Sequence, residues 1–121
     1  MARILLVEDE PLVAHTVRRI LESAGHQVEW AASGQAALAR LGAMAYDLVL
    51  CDLVMPGVSG LEVIQELKRL GGPPVLALSA SVSTKSQEEA LRAGAKAFLG
   101  KPFDAQTLLS LVEKLLDREG A

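Results

Sequence analysis

Glu8 and Asp9 stand directly after the apolar run Arg3-Ile4-Leu5-Leu6-Val7, and Asp52 ends Tyr46-Asp47-Leu48-Val49-Leu50-Cys51. Ser79 ends Pro74-Val75-Leu76-Ala77-Leu78, and Lys101-Pro102 follows Lys96-Ala97-Phe98-Leu99-Gly100. If these runs are parallel strands of one sheet, three carboxylates, a hydroxyl and a lysine converge at its carboxyl end. Open α/β sheets gather their chemistry there. Asp9 and Asp52 on adjacent strand ends would raise each other's pKa and cost stability unless a cation neutralises them. Hard carboxylate oxygens suit Mg²⁺, which takes one or two carboxylates plus a phosphate. The lack of a nearby histidine, with a lone cysteine, speaks against Zn²⁺. A lysine supplies a point charge for a phosphoryl group, and a serine adds a hydrogen bond. Carboxylate nucleophile, divalent cation, lysine and hydroxyl together form a phosphoryl-transfer set.

Each piece has an ordinary explanation when taken singly. Glu8, Asp9 and Glu10 precede a helix, whose dipole favours acids at its start. Asp52 reads equally well as a strand-to-loop residue, Ser79 as a small strand-end residue and Lys101 as a solvated side chain. Only their joint placement carries the argument, so the elements that position them matter.

Strand-like runs and helical patterns alternate five times, with no linker, repeat or low-complexity tract. The runs are continuously apolar, as in strands covered on both faces. Gln27 to Ala31 is the weakest run and is expected near an edge. Val13, Val17, Ile20, Leu21 and Ala24 form a helical stripe, with Pro11 suited to its first turn and Gly25 to its end. Ser33 is placed to cap a second helix ending at Gly42. Ser59 with Glu62 reads as a capping box for a third, ending at Gly71-Gly72. Thr84 with Gln87 suggests the same for a fourth, ending at Gly94. Asp104 precedes a fifth with a broad face of Leu108, Leu111, Val112, Leu115 and Leu116. Parallel strands with right-handed crossovers then give an α/β, (βα)5 flavodoxin-like three-layer sandwich. Its five-stranded parallel sheet is expected in the order 2-1-3-4-5.

With 121 residues, 50% of them apolar but only 3% aromatic, the expectation is one domain over 1–121 with an aliphatic core. The formal net charge is −3 and no basic stripe is present, which argues against direct nucleic-acid binding. A single cysteine, Cys51, fits a reducing compartment. No apolar stretch approaches the ~20 residues of a membrane span, and no signal-peptide pattern is evident. A cytoplasmic domain is expected.

Glu8-Asp9, Asp52-Leu-Val-Met-Pro-Gly-Val-Ser-Gly60, Ser79-Ala80 and Phe98-Leu-Gly-Lys101-Pro102-Phe103 resemble the motifs of response-regulator receiver domains of two-component signalling. The resemblance spans the whole chain. It implies that Asp52 accepts a phosphoryl group from a phosphohistidine on a histidine kinase or histidine phosphotransfer protein. It implies Mg²⁺, with Mn²⁺ as the alternative, held by Asp9, Asp52 and the Val54 carbonyl, with Glu8 acting mainly through water. Lys101, Ser79 and the Ala80 amide would contact the phosphoryl oxygens. The Lys101–Pro102 peptide bond would be cis. Phosphorylation would draw Ser79 toward the phosphate and Phe98 inward, altering the surface of the fourth helix, fifth strand and fifth helix. Such a chain catalyses only its own phosphorylation and dephosphorylation. Output is expected through contact with a downstream protein rather than through an effector domain.

The chain departs from the common family pattern in having Ser rather than Thr at 79 and Phe rather than Tyr at 98. Val54 and Ser81, positions that tune hydrolysis in the family, offer no carboxylate or amide to orient water. His15, on the first helix, and His26, in a turn, read as exposed structural residues, and Cys51 as inert packing. Met44 and Met55 read as gap fillers, and Trp30 as partial surface packing. A haloacid-dehalogenase-type phosphatase would need a second Asp two residues past the nucleophile, where Val54 stands. A flavodoxin would need a phosphate loop where Glu8-Asp9-Glu10-Pro11 would repel one. The remaining alternative is a pseudo-receiver that binds partners without phosphorylation, but such chains usually lack part of the acidic set.

Overall fold

The computed structural model describes residues 2–120, with side chains through Asp117, so Met1 and Ala121 of the expected domain lie outside it. The five apolar runs form β1 (Arg3–Val7), β2 (Gln27–Ala31), β3 (Leu48–Asp52), β4 (Val75–Ser79) and β5 (Ala97–Gly100). Between and after them lie α1 (Pro11–Ser23), α2 (Gly34–Ala43), α3 (Gly60–Leu70), α4 (Thr84–Ala93) and α5 (Ala105–Gly120). The sheet is parallel in the order β2-β1-β3-β4-β5, with β2 at an edge as its polar content suggests.

Strand side chains alternate between two cores, which is why the strands read as unbroken apolar runs. Leu5, Val7, Val49, Cys51 and Ala77 pack with α2, α3 and α4 through residues such as Ala37, Ile64 and Ala90. Ile4, Leu6, Leu50, Leu76 and Leu78 pack on the opposite face with α1 and α5, through Val17, Leu21, Leu108 and Val112. Burying such side chains contributes ~1.5–3 kcal/mol each, before ordering costs. Two complete apolar layers thus hold the carboxyl strand ends in fixed register.

Several local readings are refined by packing. The buried line of α1 is Ala14, Val17 and Leu21; Val13 and Ile20 flank it, and Ala24 is exposed beyond the last turn. The cap of α4 is Ser83 rather than Thr84, because Thr84 is already helical while Ser83 is extended and its hydroxyl accepts from the Ser86 amide at 3.1 Å. The capping box of Ser59 and Glu62 forms, as do the caps by Ser33 and Asp104. Met55 is buried, but Met44 is exposed and fills no gap, because it lies just past the end of α2.

His26 is the larger correction. It is 8% exposed, lying just before β2 with Glu113 of α5 beside it. Its Nδ1 accepts from the Ala2 amide at 3.3 Å, which leaves Nε2–H to donate to Glu113 Oε1 at 3.1 Å. Both ring nitrogens thus have a partner. Burial without such partners would be costly.

Candidate functional site

Strand register brings the separated motifs together. Val7 pairs with Cys51, so Glu8 and Asp52 emerge side by side. Asp52 pairs with Leu78 and Ser79 with Gly100, so Ser79 and Lys101 follow in turn across the sheet. Carboxylate oxygens of Glu8, Asp9 and Asp52 all lie within 4.8 Å of one another. The chain closes on Asp52 from behind: a Cβ at Gly60 would overlap the Asp52 carbonyl oxygen, so the start of α3 approaches only because glycine stands there.

Lys101 reaches into this cluster. Its Nζ lies 2.8 Å from Glu8 Oε1 and 3.3 Å from Asp52 Oδ2. The other Glu8 oxygen accepts from the Glu10 amide at 3.2 Å, and Asp52 Oδ1 accepts from the Val54 amide at 3.4 Å. Glu8 is fully buried, Asp52 nearly so and Asp9 half-buried. Burial raises the Glu8 carboxyl above its ordinary range. The hydrogen bond from Lys101 opposes that rise, and the Asp52 charge adds to it. At Lys101 burial pulls the ammonium pKa down, but the Glu8 hydrogen bond and the Asp52 and Glu8 charges outweigh it, so the net shift is upward. The partners differ because Glu8 is sealed from water while Lys101 keeps 19% of its side chain exposed.

Ser79 is buried with its hydroxyl accepting from the Ser81 amide at 3.0 Å, and Ala80 is exposed beside it. Phe98 is half-buried against the core under α2, α3 and α4. The Val54 side chain is exposed. The Lys101–Pro102 peptide bond is cis. Burial pushes the Cys51 thiol far above its ordinary range, with the Asp52 and Glu8 charges adding, which fits an inert packing residue.

The donor set suits a hard divalent cation: three carboxylates, oxygen ligands only, and more negative charge than one lysine cancels. Two features escaped the sequence. Glu8 and Lys101 form a direct ion pair, which a separation of 93 positions along the chain conceals. Trp30, read as surface packing, donates its indole N–H to the Glu8 carbonyl at 2.7 Å and stacks obliquely against His15. A lone tryptophan on a strand paired with the acid-bearing strand was the only available signal. Among the described residues, no helix is long and apolar enough to cross a membrane.

Similar proteins share both sequence and shape with this chain. It is 36% identical over 119 residues to the regulatory protein VanRB of Enterococcus faecalis, covering 98% of this chain and 54% of that protein. It is 38% identical over 120 residues to the aerobic respiration control sensor protein ArcB of Escherichia coli, covering 96% of this chain and 15% of that protein. The chemotaxis protein CheY4 of Vibrio cholerae superposes with a TM-score of 0.89 at 31% identity, covering 95% of this chain and 98% of that one. The chain spans about half the length of the regulators it matches, such as VanRB, and less of the sensor protein ArcB. The family profile "Response regulator receiver domain" matches residues 4–113. Together with the 2-1-3-4-5 sheet, that match makes the chain a member of the response regulator receiver family.

Proposed function

We propose that this receiver takes a phosphoryl group from a phosphohistidine of a histidine kinase or phosphotransfer protein onto Asp52. The observation that carries this reading is the position of Lys101, within reach of both Glu8 and Asp52 inside a three-carboxylate cluster. In the transfer, an Asp52 oxygen forms the new O–P bond while the donor's N–P bond breaks and its imidazole leaves. Asp9, Asp52 and the Val54 carbonyl would hold Mg²⁺, with Glu8 acting through water. Bound Mg²⁺ supplies divalent charge that offsets the carboxylates and the phosphoryl oxygens. Lys101 offers its ammonium to the phosphoryl group, and Ser79 with the Ala80 amide offers hydrogen bonds. The complete acidic set favours this reading over a pseudo-receiver.

Receiver domains are signalling modules, and the output proposed here is a surface change. A phosphoryl group shifts the equilibrium only through contacts that differ between states. Those contacts are Ser79 and Lys101, with Phe98 moving inward as Ser79 moves toward phosphate. The affected surface is α4, β5 and α5, where a downstream protein docks. Coupling of this kind amounts to ~1–3 kcal/mol.

Incubation with Mg²⁺ and a small phosphodonor, followed by intact mass, tests the reading. Wild type gains one phosphoryl group and folded Asp52→Asn gains none. An equal gain in Asp52→Asn overturns the assignment. Asp9→Ala should lose the Mg²⁺-induced rise in unfolding temperature. Hydrogen exchange over 84–103, with and without beryllofluoride, tests the output face. No change there at full Asp52 occupancy moves the output elsewhere.

A further inference from the structure

The Asp9 side chain makes no hydrogen bond within the protein among the described residues, although the proposed metal site depends on where it points. The helix it precedes is also less securely started than the others. The cap position of α1, Glu10, makes no side-chain cap bond, whereas Ser33, Ser59, Ser83 and Asp104 cap their helices. The β1–α1 turn therefore needs another anchor. It finds one in the edge strand: the Glu8 amide donates to the Ala31 carbonyl at 3.1 Å, and the Glu8 carbonyl accepts from Trp30 Nε1 at 2.7 Å.

Both peptide groups of Glu8 are thus held by neighbouring residues of β2. The second hold reaches Asp9 directly. The Glu8 carbonyl shares a planar peptide unit with the Asp9 nitrogen and Cα, so fixing its oxygen fixes where Asp9 begins. The same unit follows the carboxylate that pairs with Lys101. The indole is itself restrained on its other side, with the His15 ring centroid 5.7 Å from its own at an interplanar angle of 57°.

We propose that Trp30 is a positioning residue for the acidic turn: its indole N–H orients the Glu8–Asp9 peptide and thereby sets the Asp9 carboxylate for the cation. This rests on the proposed phosphoacceptor reading for its use, but not for its geometry. Trp30 acts through the Glu8 backbone and is not one of the three clustered carboxylates.

The test compares wild type with Trp30→Phe, which keeps an aromatic ring and removes the donor. A second variant carries benzothienylalanine at 30, which keeps the two-ring shape without the N–H and covers any failure of Trp30→Phe to fold. Leu67→Ala, buried in α3 away from the turn, is the control for general loss of stability. Calorimetry of Mg²⁺ binding should show both Trp30 variants weakened roughly two- to tenfold, the equivalent of one hydrogen bond, with Leu67→Ala unchanged. Amide exchange at Glu10, measured without metal, should quicken in both variants by more than in the control. Unchanged Glu10 exchange and Mg²⁺ affinity in the benzothienylalanine protein would overturn the positioning role. A wild type that takes neither Mg²⁺ nor phosphoryl would instead overturn the phosphoacceptor reading, and the Glu10 exchange would still decide the role of Trp30.

Discussion

Charge at the carboxyl end of the sheet is treated differently from charge on the helix flanks. Glu8, Lys101 and Asp52 meet with side chains 0%, 19% and 8% exposed. Arg69 pairs with Glu66 one helical turn away at 69% and 35% exposure, and Arg18 pairs with Glu22 similarly in the open. The flank pairs cost little to form and contribute little, because water screens them. The site group gives up hydration that pairing repays only in part. Folding alone would not favour a sealed carboxylate facing two more acids, so its presence is best understood through the cation and phosphoryl group proposed to enter.

The largest effect should come from removing Lys101 from the site. Metal-free Lys101→Ala is expected to lose about 3 kcal/mol in urea unfolding, because Glu8 stays buried without its partner. Mg²⁺ should restore part of that loss. A loss no larger than that of an exposed-pair variant would erase the contrast between the two regions.

The same contrast sets a pH dependence. The folded Glu8 carboxyl has a raised pKa, so it binds its proton before the unfolded chain does as pH falls. Stability due to Glu8 must therefore decrease as pH rises from about 4.5, the unfolded value, through the higher folded one. Subtracting the Glu8→Gln profile from wild type should isolate this slope. Lys101 acts at the other limit: its raised folded pKa contributes stability that is complete below about 10.5 and lost as pH rises through the folded value. A difference profile that climbs with pH in the acid window would contradict the burial of Glu8.

The amino end of the sheet offers a milder case, where His26 is buried but satisfied. His26→Phe leaves the Ala2 amide without its acceptor and should cost about 1–2 kcal/mol. Unfolding curves that coincide with wild type would show that the ring is not needed there. The smallest effect belongs to the flanks. Arg69→Ala should leave the unfolding midpoint where it is, and a clear drop would mean an exposed pair matters more than its setting allows.

Much of the fold was legible because its signals are local. The unbroken apolar runs, the glycines closing α1, α3 and α4 and the Ser59–Glu62 capping box each act within a few residues, and each formed; the expected stop at Gly42 did not, because Gly42 keeps a helical backbone and α2 continues to Ala43. The strand order matched the flavodoxin-like expectation for a (βα)5 chain, with the weak β2 at an edge. The errors were of another kind. Thr84 and Ser83 are adjacent and chemically alike as caps, so only backbone angles separate them. His26 looked like a turn residue because nothing near it in sequence tells that Glu113 of α5 lies beside it.

The candidate site divides along the same line. Which residues arrive at the carboxyl end of the sheet could be read along the chain. Strand length and alternation set Glu8, Asp9, Asp52, Ser79 and Lys101 at the ends of successive strands. The folded arrangement set how those groups share one another. It gave Lys101 to Glu8 at 2.8 Å ahead of Asp52 at 3.3 Å, sealed Glu8 from water, and brought the Trp30 indole onto the Glu8 carbonyl. Residue spacing along a strand is a local property, whereas burial and partner choice depend on segments that meet only when the sheet closes.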